Sequence, residues 1–371
     1  MNQESKLLYR IALTKINGVG TAIARNLLDI VGDEESIFKS GKKSLLKIPN
    51  INRKLVDEIL NPDVLRQAEE ELKFVEKNKI QAFFINDENY PYRLKECTDA
   101  PILFYFKGNA NFNAKKIISI VGTRKSTVYG NKFCENFLRE IALYFPDALI
   151  ISGLAYGIDI QAHKSALVEN LPTIGVLAHG LDRIYPAVHR KTAIEMLEKG
   201  GLLTEFPSNT EPDRHNFVRR NRIVAGMADA VVVVESASKG GSLITAEIAN
   251  SYNRDVFAVP GRITDSLSEG CNALITDNKA FILQSTENFI RQMNWDQNKK
   301  AKIPKQPSLF LELTGDEQIV YDALLSCDNK HVNLLSIDTG IPVSQLFFTL
   351  LEMEMKNIIK PLPGGTYKLV D

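Results

Sequence analysis

The sequence predicts an α/β protein built on a Rossmann-like, doubly wound, mainly parallel sheet. A helical, helix-hairpin-helix-like domain precedes the sheet and a winged helix follows it. Three observations carry this prediction. Six near-continuous apolar runs, "KIISIVG", "ALIISG", "TIGVLAHG", "GLLTEF", "AVVVVES" and "DVFAVPG", alternate with helical patterns through residues 113–293. Such runs suit parallel strands buried on both faces, and the alternation is that of βαβ units. Residues 1–65 read as short helices separated by glycine turns. From Thr314 the pattern changes again, to three helices and a terminal hairpin.

Composition bounds the function. A chain of 371 residues holds two to four domains, and 44% hydrophobic with 24% charged residues is ordinary for a globular protein. Lys+Arg and Asp+Glu both number 45, so any nucleic-acid binding must come from a local patch. Cys97, Cys134, Cys271 and Cys327 lie far apart, with no CxxC pair, zinc spacing or secreted disulfide framework. A reducing cytoplasm fits this usage. The start, "MNQESKLLYR", has no apolar signal core, and no apolar run approaches the roughly 20 residues that span a bilayer. No metal or cofactor is expected.

The elements follow in order. "KINGVGTAIARNLLDIV" places apolar residues at helical spacing after the turn Asn17-Gly18-Val19-Gly20, and "LLKIPNINRKLVDEIL" repeats the scheme. In a helix-hairpin-helix the G-x-G turn exposes N–H groups at a helix start, where a phosphate can sit. The first copy fits; the second has Asn50-Ile51-Asn52 where glycines belong, and a plain helical packing module remains open for both. Residues 66–112 read as a connector, with "QAFFI" a strand candidate and "ENYPYRLKECTDAPILFYFKGN" a loop-rich lead-in. Residues 294–312, polar, lysine-bearing and proline-interrupted, read as a linker. In 313–371, "GDEQIVYDALL", "NLLSIDTG" and "VSQLFFTLLEMEMKNII" are helices and "KPLPGGTYKLV" a hairpin about Pro363-Gly364-Gly365. The second and third helices, joined at Thr339-Gly340-Ile341-Pro342, form a helix-turn-helix.

In a doubly wound sheet ligands sit beyond the carboxyl ends of the strands. The first such end, "SIVGTRKSTVYG", turns at Gly122-Thr123-Arg124, where glycine admits close approach and arginine suits a phosphate. It is not a G-x-G-x-x-G fingerprint. The second, "IISGLAYGIDIQAH", offers Ser152 and Gly153; Asp159 and His163 share a helical face, and Asp159 reads as capping the helix and orienting His163. Tyr185, opening a helix with Pro186, either stacks on a base or packs on its loop. The densest stretch is "DRHNFVRRNRIVAGMADAVVVVES". Arg214 lies upstream, Phe217 suits stacking on a base, and Arg219 and Arg222 share a face. Arg220 falls towards the buried side, so it must reach a carbonyl, a carboxylate or a ligand. The alternative is a charged face paired with Glu205, Glu211 or Asp213. Lys239-Gly240-Gly241-Ser242 forms an anion nest at a helix start without the order of a nucleotide-hydrolysing loop, and Arg262 of "VPGR" sits on the same rim. No nucleophile–base–orienter set can be assembled from these strand ends, which favours holding an extended anion.

The motifs "VGTRKSTVYG", "SGLAYGIDIQAH", "GLDRIYP", "LLTEFP", "FVRRNRIVAGMADAVVVVES", "GGSLITAEIA", "VFAVPG" and "SEGCNALITD" run in an order that resembles the DprA/Smf family of DNA-processing proteins. The resemblance implies a cytoplasmic protein of natural transformation and recombination. It implies binding and protection of single-stranded DNA, loading of the RecA recombinase, a homodimer and no enzymatic turnover. Carried over residue by residue, it assigns Gly122, Thr123 and Arg124 to one loop and Arg214, Phe217, Arg220 and Arg222 to a basic-aromatic strip. Gly240, Gly241 and Ser242 fall on the nest. Arg214 stands where the family pattern has a lysine. On this reading single-stranded DNA lies along the strand-end rim, and charge reversal at Arg124 or Arg220 abolishes binding without unfolding the chain.

Two rivals remain. "KGGSLITAE", with Glu247, resembles part of the motif of lonely-guy phosphoribohydrolases but lacks its proline and G-T step. The winged helix suggests a transcription regulator, yet Lys356 and Lys360 are a thin supply of charge for duplex phosphates, so protein contact or a vestigial role is the alternative.

Overall fold

All six apolar runs are strands, and all six lie parallel in one sheet. The computed structural model describes residues 3–295, 313–325, 329–356, 358–362 and 364–369. The described residues of Met1–Ala301 form one compact unit and those of Lys302–Asp371 a second. The linker reading falls, from residue 296, outside the described residues, as do Cys327 and Pro363.

The first unit opens with α1 (Gln3–Lys15), α2 (Thr21–Val31), α3 (Glu34–Lys39), α4 (Lys42–Leu45), α5 (Arg53–Ile59) and α6 (Pro62–Lys77). Then come β1 (Gln81–Phe84), α7 (Tyr92–Lys95) and β2 (Leu103–Gly108). The βα alternation runs β3 (Ile117–Val121), α8 (Val128–Tyr144), β4 (Leu149–Ser152), α9 (Ile158–Val168), β5 (Thr173–Val176), α10 (Arg190–Glu198) and β6 (Gly200–Thr204). It ends with α11 (Arg214–Gly226), β7 (Ala230–Val233), α12 (Gly241–Ser251), β8 (Asp255–Ala258), α13 (Glu269–Thr276), β9 (Phe281–Ile282) and α14 (Thr286–Gln292). The strand order is β1-β2-β6-β5-β4-β3-β7-β8-β9, parallel from β6 to β9, with β1 and β2 antiparallel at one edge.

Side-chain alternation divides the core. Ile118 and Ile120 of β3 face one layer with Phe137, Ile141 and Ala162 of α8 and α9. Ile117 and Val121 face the other, with Ile223 and Val224 of α11 and Ala246 of α12. The N-terminal helices share that second layer through Ile11, Leu27 and Val56.

The stretch 66–112 is not a connector. It carries most of α6, which packs on α1, and two strands of the main sheet. The supposed loop "LFYFKG" is β2 because Phe104 and Phe106 bury against Phe83 and Phe112. Prolines 91 and 101 punctuate the segment without excluding a strand between later breaks. The two hairpin-like copies differ at their helix starts. Gly20 leaves α2 without a side-chain cap, whereas the Asn52 Oδ1 accepts the Leu55 N–H at 2.9 Å and so occupies the second nest itself.

The second unit has α15 (Gly315–Leu325), β10 (Lys330–His331), α16 (Val332–Thr339), α17 (Val343–Met355), β11 (Ile359–Leu362) and β12 (Thr366–Leu369). Gly340, left-handed at φ 71°, ends α16 and turns the chain into α17. The hairpin gains β10 as a third strand, in the order β10-β12-β11. Val320, Leu335, Leu346, Leu350 and Met353 form this unit's own core.

Candidate nucleic-acid interface

β3 has β4 on one side and β7 on the other, so the chain leaves neighbouring strand ends in opposite directions and opens a crevice between them. The loops that border the crevice are tied together. The Thr123 N–H donates to the Glu235 carbonyl at 2.7 Å, and the Ile158 N–H to the Thr123 carbonyl at 3.1 Å. The carboxylate of Glu235 accepts the Thr127 N–H at 2.9 Å and also binds the Thr127 hydroxyl, fixing the start of α8. Gly157 makes this crossing feasible: at φ +74°, a Cβ there would lie 2.1 Å from the Thr123 carbonyl oxygen.

The crevice widens into a cleft of about 520 Å³, lined by residues from the ends of β3, β4 and β7 and by α11 and α12. Of the sequence-derived candidates, Gly122, Thr123, Arg124, Gly153, Arg214, Phe217, Arg220, Lys239, Gly240, Gly241 and Ser242 line it. Its charged residues are Arg124, Arg214, Arg220 and Lys239 against a single carboxylate, Asp159. Arg124, Arg214 and Lys239 are exposed, and none has an ion pair among the described residues. The Arg124 guanidinium lies over the Phe217 ring at 5.0 Å, and Tyr185 stands 6.1 Å from the same ring. Half-buried Phe217 is thereby held by a cation on one side and an exposed tyrosine beside it. No side chain caps α12, so its first N–H groups, at Gly241 and Ser242, are left to a ligand or water. The Ser242 hydroxyl is already committed, donating to Ser236 Oγ at 2.9 Å.

Three sequence assignments need correction. Arg222 does not line the cleft: it is buried, and its guanidinium reaches Glu205 at 2.5 Å and the Asp99 carbonyl. Arg219 reaches the same carboxylate at 3.0 Å and covers Phe206. The charged-face alternative holds for these two arginines, with Glu205 as the partner. Ser152 is fully buried, and its hydroxyl donates to the Ile120 carbonyl at 2.6 Å. Arg220 lines the cleft as floor, not as an exposed cation. It is buried, donates to the Val176 carbonyl at 2.6 Å and lies against Gly153, where a Cβ would stand 1.9 Å from its Nη1. Burial pushes its pKa down and Asp159 opposes this. A carboxylate in its place would set two buried acids together, so charge reversal at Arg220 unfolds the rim as well as discharging it.

Asp159 and His163 also part company. Burial pushes the Asp159 carboxyl pKa up, against Arg220 and the N–H groups of Ala155 and Gly153, which stabilise its anion. His163 pairs through Nδ1 with the Thr173 hydroxyl at 2.7 Å, and burial drives its pKa down to about 3. Among the described residues no hydrogen bond joins Asp159 to the imidazole, whose Nδ1 is taken by the Thr173 hydroxyl, so Asp159 does not orient it.

Asn221 and Thr245 line the cleft without having been singled out. Both were within reach of helical spacing, Asn221 four residues after Phe217 and Thr245 three after Ser242. Glu247, the carboxylate of the phosphoribohydrolase reading, is exposed and does not line the cleft. Among the described residues no three His, Cys, Asp or Glu side chains gather as a metal site, and no single helix is long and apolar enough to cross a membrane.

Comparison with known proteins gives concordant results. Residues 81–294 match the family described as DNA recombination-mediator protein A, residues 11–61 a SAM-like helix-hairpin-helix tandem, and residues 304–365 the DprA winged helix domain. Protein Smf of Escherichia coli is 33% identical over 308 residues, covering 82% of this chain and 81% of that protein. Protein Smf of Synechocystis is 32% identical over 328 residues, covering 85% and 79%. The crystal structure of DNA processing protein A from Streptococcus pneumoniae superposes with a TM-score of 0.63 at 31% identity, covering 77% of this chain and 97% of that one. The Helicobacter pylori protein, solved for its single-stranded DNA binding mode, gives 0.53 at 29% identity, covering 59% and 98%.

Proposed function

This chain belongs to the DNA recombination-mediator protein A (DprA/Smf) family, and from that premise we propose that its cleft holds single-stranded DNA. The observation that carries the reading is three exposed cations, Arg124, Arg214 and Lys239, which make no ion pair among the described residues and surround an uncapped helix start. Unpaired cations beside open N–H groups suit successive phosphates, and Phe217 offers a face to one base. An extended single strand follows a rim of loops and presents its bases; a duplex hides them in its stack. The H. pylori protein's described binding mode supports the same ligand class.

The proposed action is protection of the strand and its delivery to the RecA recombinase during transformation, by a homodimer in the cytoplasm and without turnover. Among the described residues that line the cleft, four carry positive charge and one, Asp159, a carboxylate, which suits holding an anion. The test is a salt-series titration of matched single- and double-stranded oligonucleotides. The single strand binds tighter, with little sequence preference, and its affinity falls steeply with salt. Equal affinity for both forms, or a salt-independent affinity, contradicts the proposal.

A further inference from the structure

The outer face of α17 is apolar and flanked by acid. This helix holds the position that a winged helix uses to read the major groove. Its inner face, Leu346, Leu350 and Met353, is buried in the unit's own core. Its outer face carries Phe347, Leu351 and Met355 at i, i+4 and i+8, with Phe348 beside them. They are 50%, 55%, 81% and 73% exposed respectively. Single exposed apolar side chains are common, but four large ones on one helical stripe are not. Phe347, Phe348 and Leu351 also line a shallow hollow of about 270 Å³ with Glu354 and Tyr367.

The charges say what covers this stripe. Glu352 and Glu354 are the only charged residues of α17, they flank the stripe on opposite sides, and both are exposed. Neither has an ion pair among the described residues. The next cation, Lys356, is engaged by buried Glu317 at 2.7 Å. A duplex would set phosphates against two carboxylates and four apolar side chains, with no free cation on the helix to offset them. A second copy, packing stripe on stripe, would set acid against acid on both flanks. We propose that this face docks a partner protein through an amphipathic segment whose apolar stripe is flanked by lysine or arginine. Helix-in-groove and helix-on-helix recognition use this pattern of i, i+4 anchors and complementary flanks.

The test uses the full chain and a fluorescent amphipathic helical peptide of about 18 residues, with a leucine stripe flanked by lysines. A control peptide carries glutamate in place of each lysine. The lysine-flanked peptide binds the parent at least about tenfold tighter than the control. Phe348→Asp with Leu351→Asp removes that binding while leaving the circular dichroism spectrum and single-stranded DNA affinity unchanged. Glu352→Lys with Glu354→Lys, which touches no core residue, reverses the preference between the two peptides. Equal binding of the two peptides overturns the proposal, as does a Phe348/Leu351 variant that binds like the parent. If those substitutions instead abolish duplex DNA binding, or dissolve a concentration-dependent dimer seen by sedimentation, the occupant is a duplex or a second copy and the proposal fails.

Discussion

The two ends of α11 hold the same residue type in opposite states. At its first turn Arg214 is exposed and has no ion pair among the described residues, on the cleft face with Phe217 and Asn221. Two turns on, Arg222 is buried and clamped by Glu205, with Arg219 on the same carboxylate. The difference lies in the neighbours and not in the helix. Glu205 follows β6 and projects where Arg219 and Arg222 pass, while the nearest carboxylate in the chain, Asp213, caps the helix by accepting the His215 N–H and makes no ion pair with Arg214 among the described residues. One end of the helix anchors the fold, and the other is the end to which the proposal assigns an outside anion. Density of arginine in a sequence therefore does not measure binding power; the supply of internal carboxylates decides how much remains.

The largest effect should come from reversing the unpaired end. Arg124→Glu with Arg214→Glu lowers single-stranded DNA affinity about a hundredfold or more, since two charge-assisted contacts are each worth about 1.5–3 kcal/mol. Thermal melting of this variant should match the parent. The paired end should respond the other way. Arg222→Ala leaves Glu205 short of its closest partner and costs about 3–5 kcal/mol in urea unfolding, the usual penalty for breaking a buried pair. Its folded fraction should keep the parent's DNA affinity; a large loss there would mean that Arg222 reaches the strand. Phe217→Ala separates stacking from charge: affinity drops by about 1–3 kcal/mol while the salt slope stays the same. The smallest change is Lys239→Ala, where the slope of log affinity against log salt falls by about 0.7 and affinity changes modestly.

Much of the fold was legible because short apolar runs, bounded by turn residues and alternating with helical patterns, mark strands buried on both faces. The runs that became β3 to β8 needed only that rule. β2 escaped it because Pro101 suggested a loop, although the aromatics that follow pack on β1 and Phe112. For the site, strand-end glycines and the β3–β7 crossing are local or topological, so Gly122, Arg124 and Gly240 were readable from spacing. The fate of Arg220 and Arg222 was not, because it depends on Val176, Asp159, Glu205 and Asp99, which are distant in sequence. Helical phase showed that Arg220 turns inward, but it cannot show what waits there. The acidic, apolar outer face of α17 was visible as a shortage of lysine, and only the fold shows that Phe348 and Met355 lie outside.

The most direct test compares two exposed arginines of one helix. Arg214→Ala and Arg219→Ala each remove one guanidinium from α11, and Arg222 still holds Glu205 in the second variant. If pairing decides availability, Arg214→Ala weakens binding of a labelled single strand about tenfold and flattens its salt dependence, while Arg219→Ala stays within about twofold of the parent. Equal losses in the two variants, or a larger loss at Arg219, would contradict it.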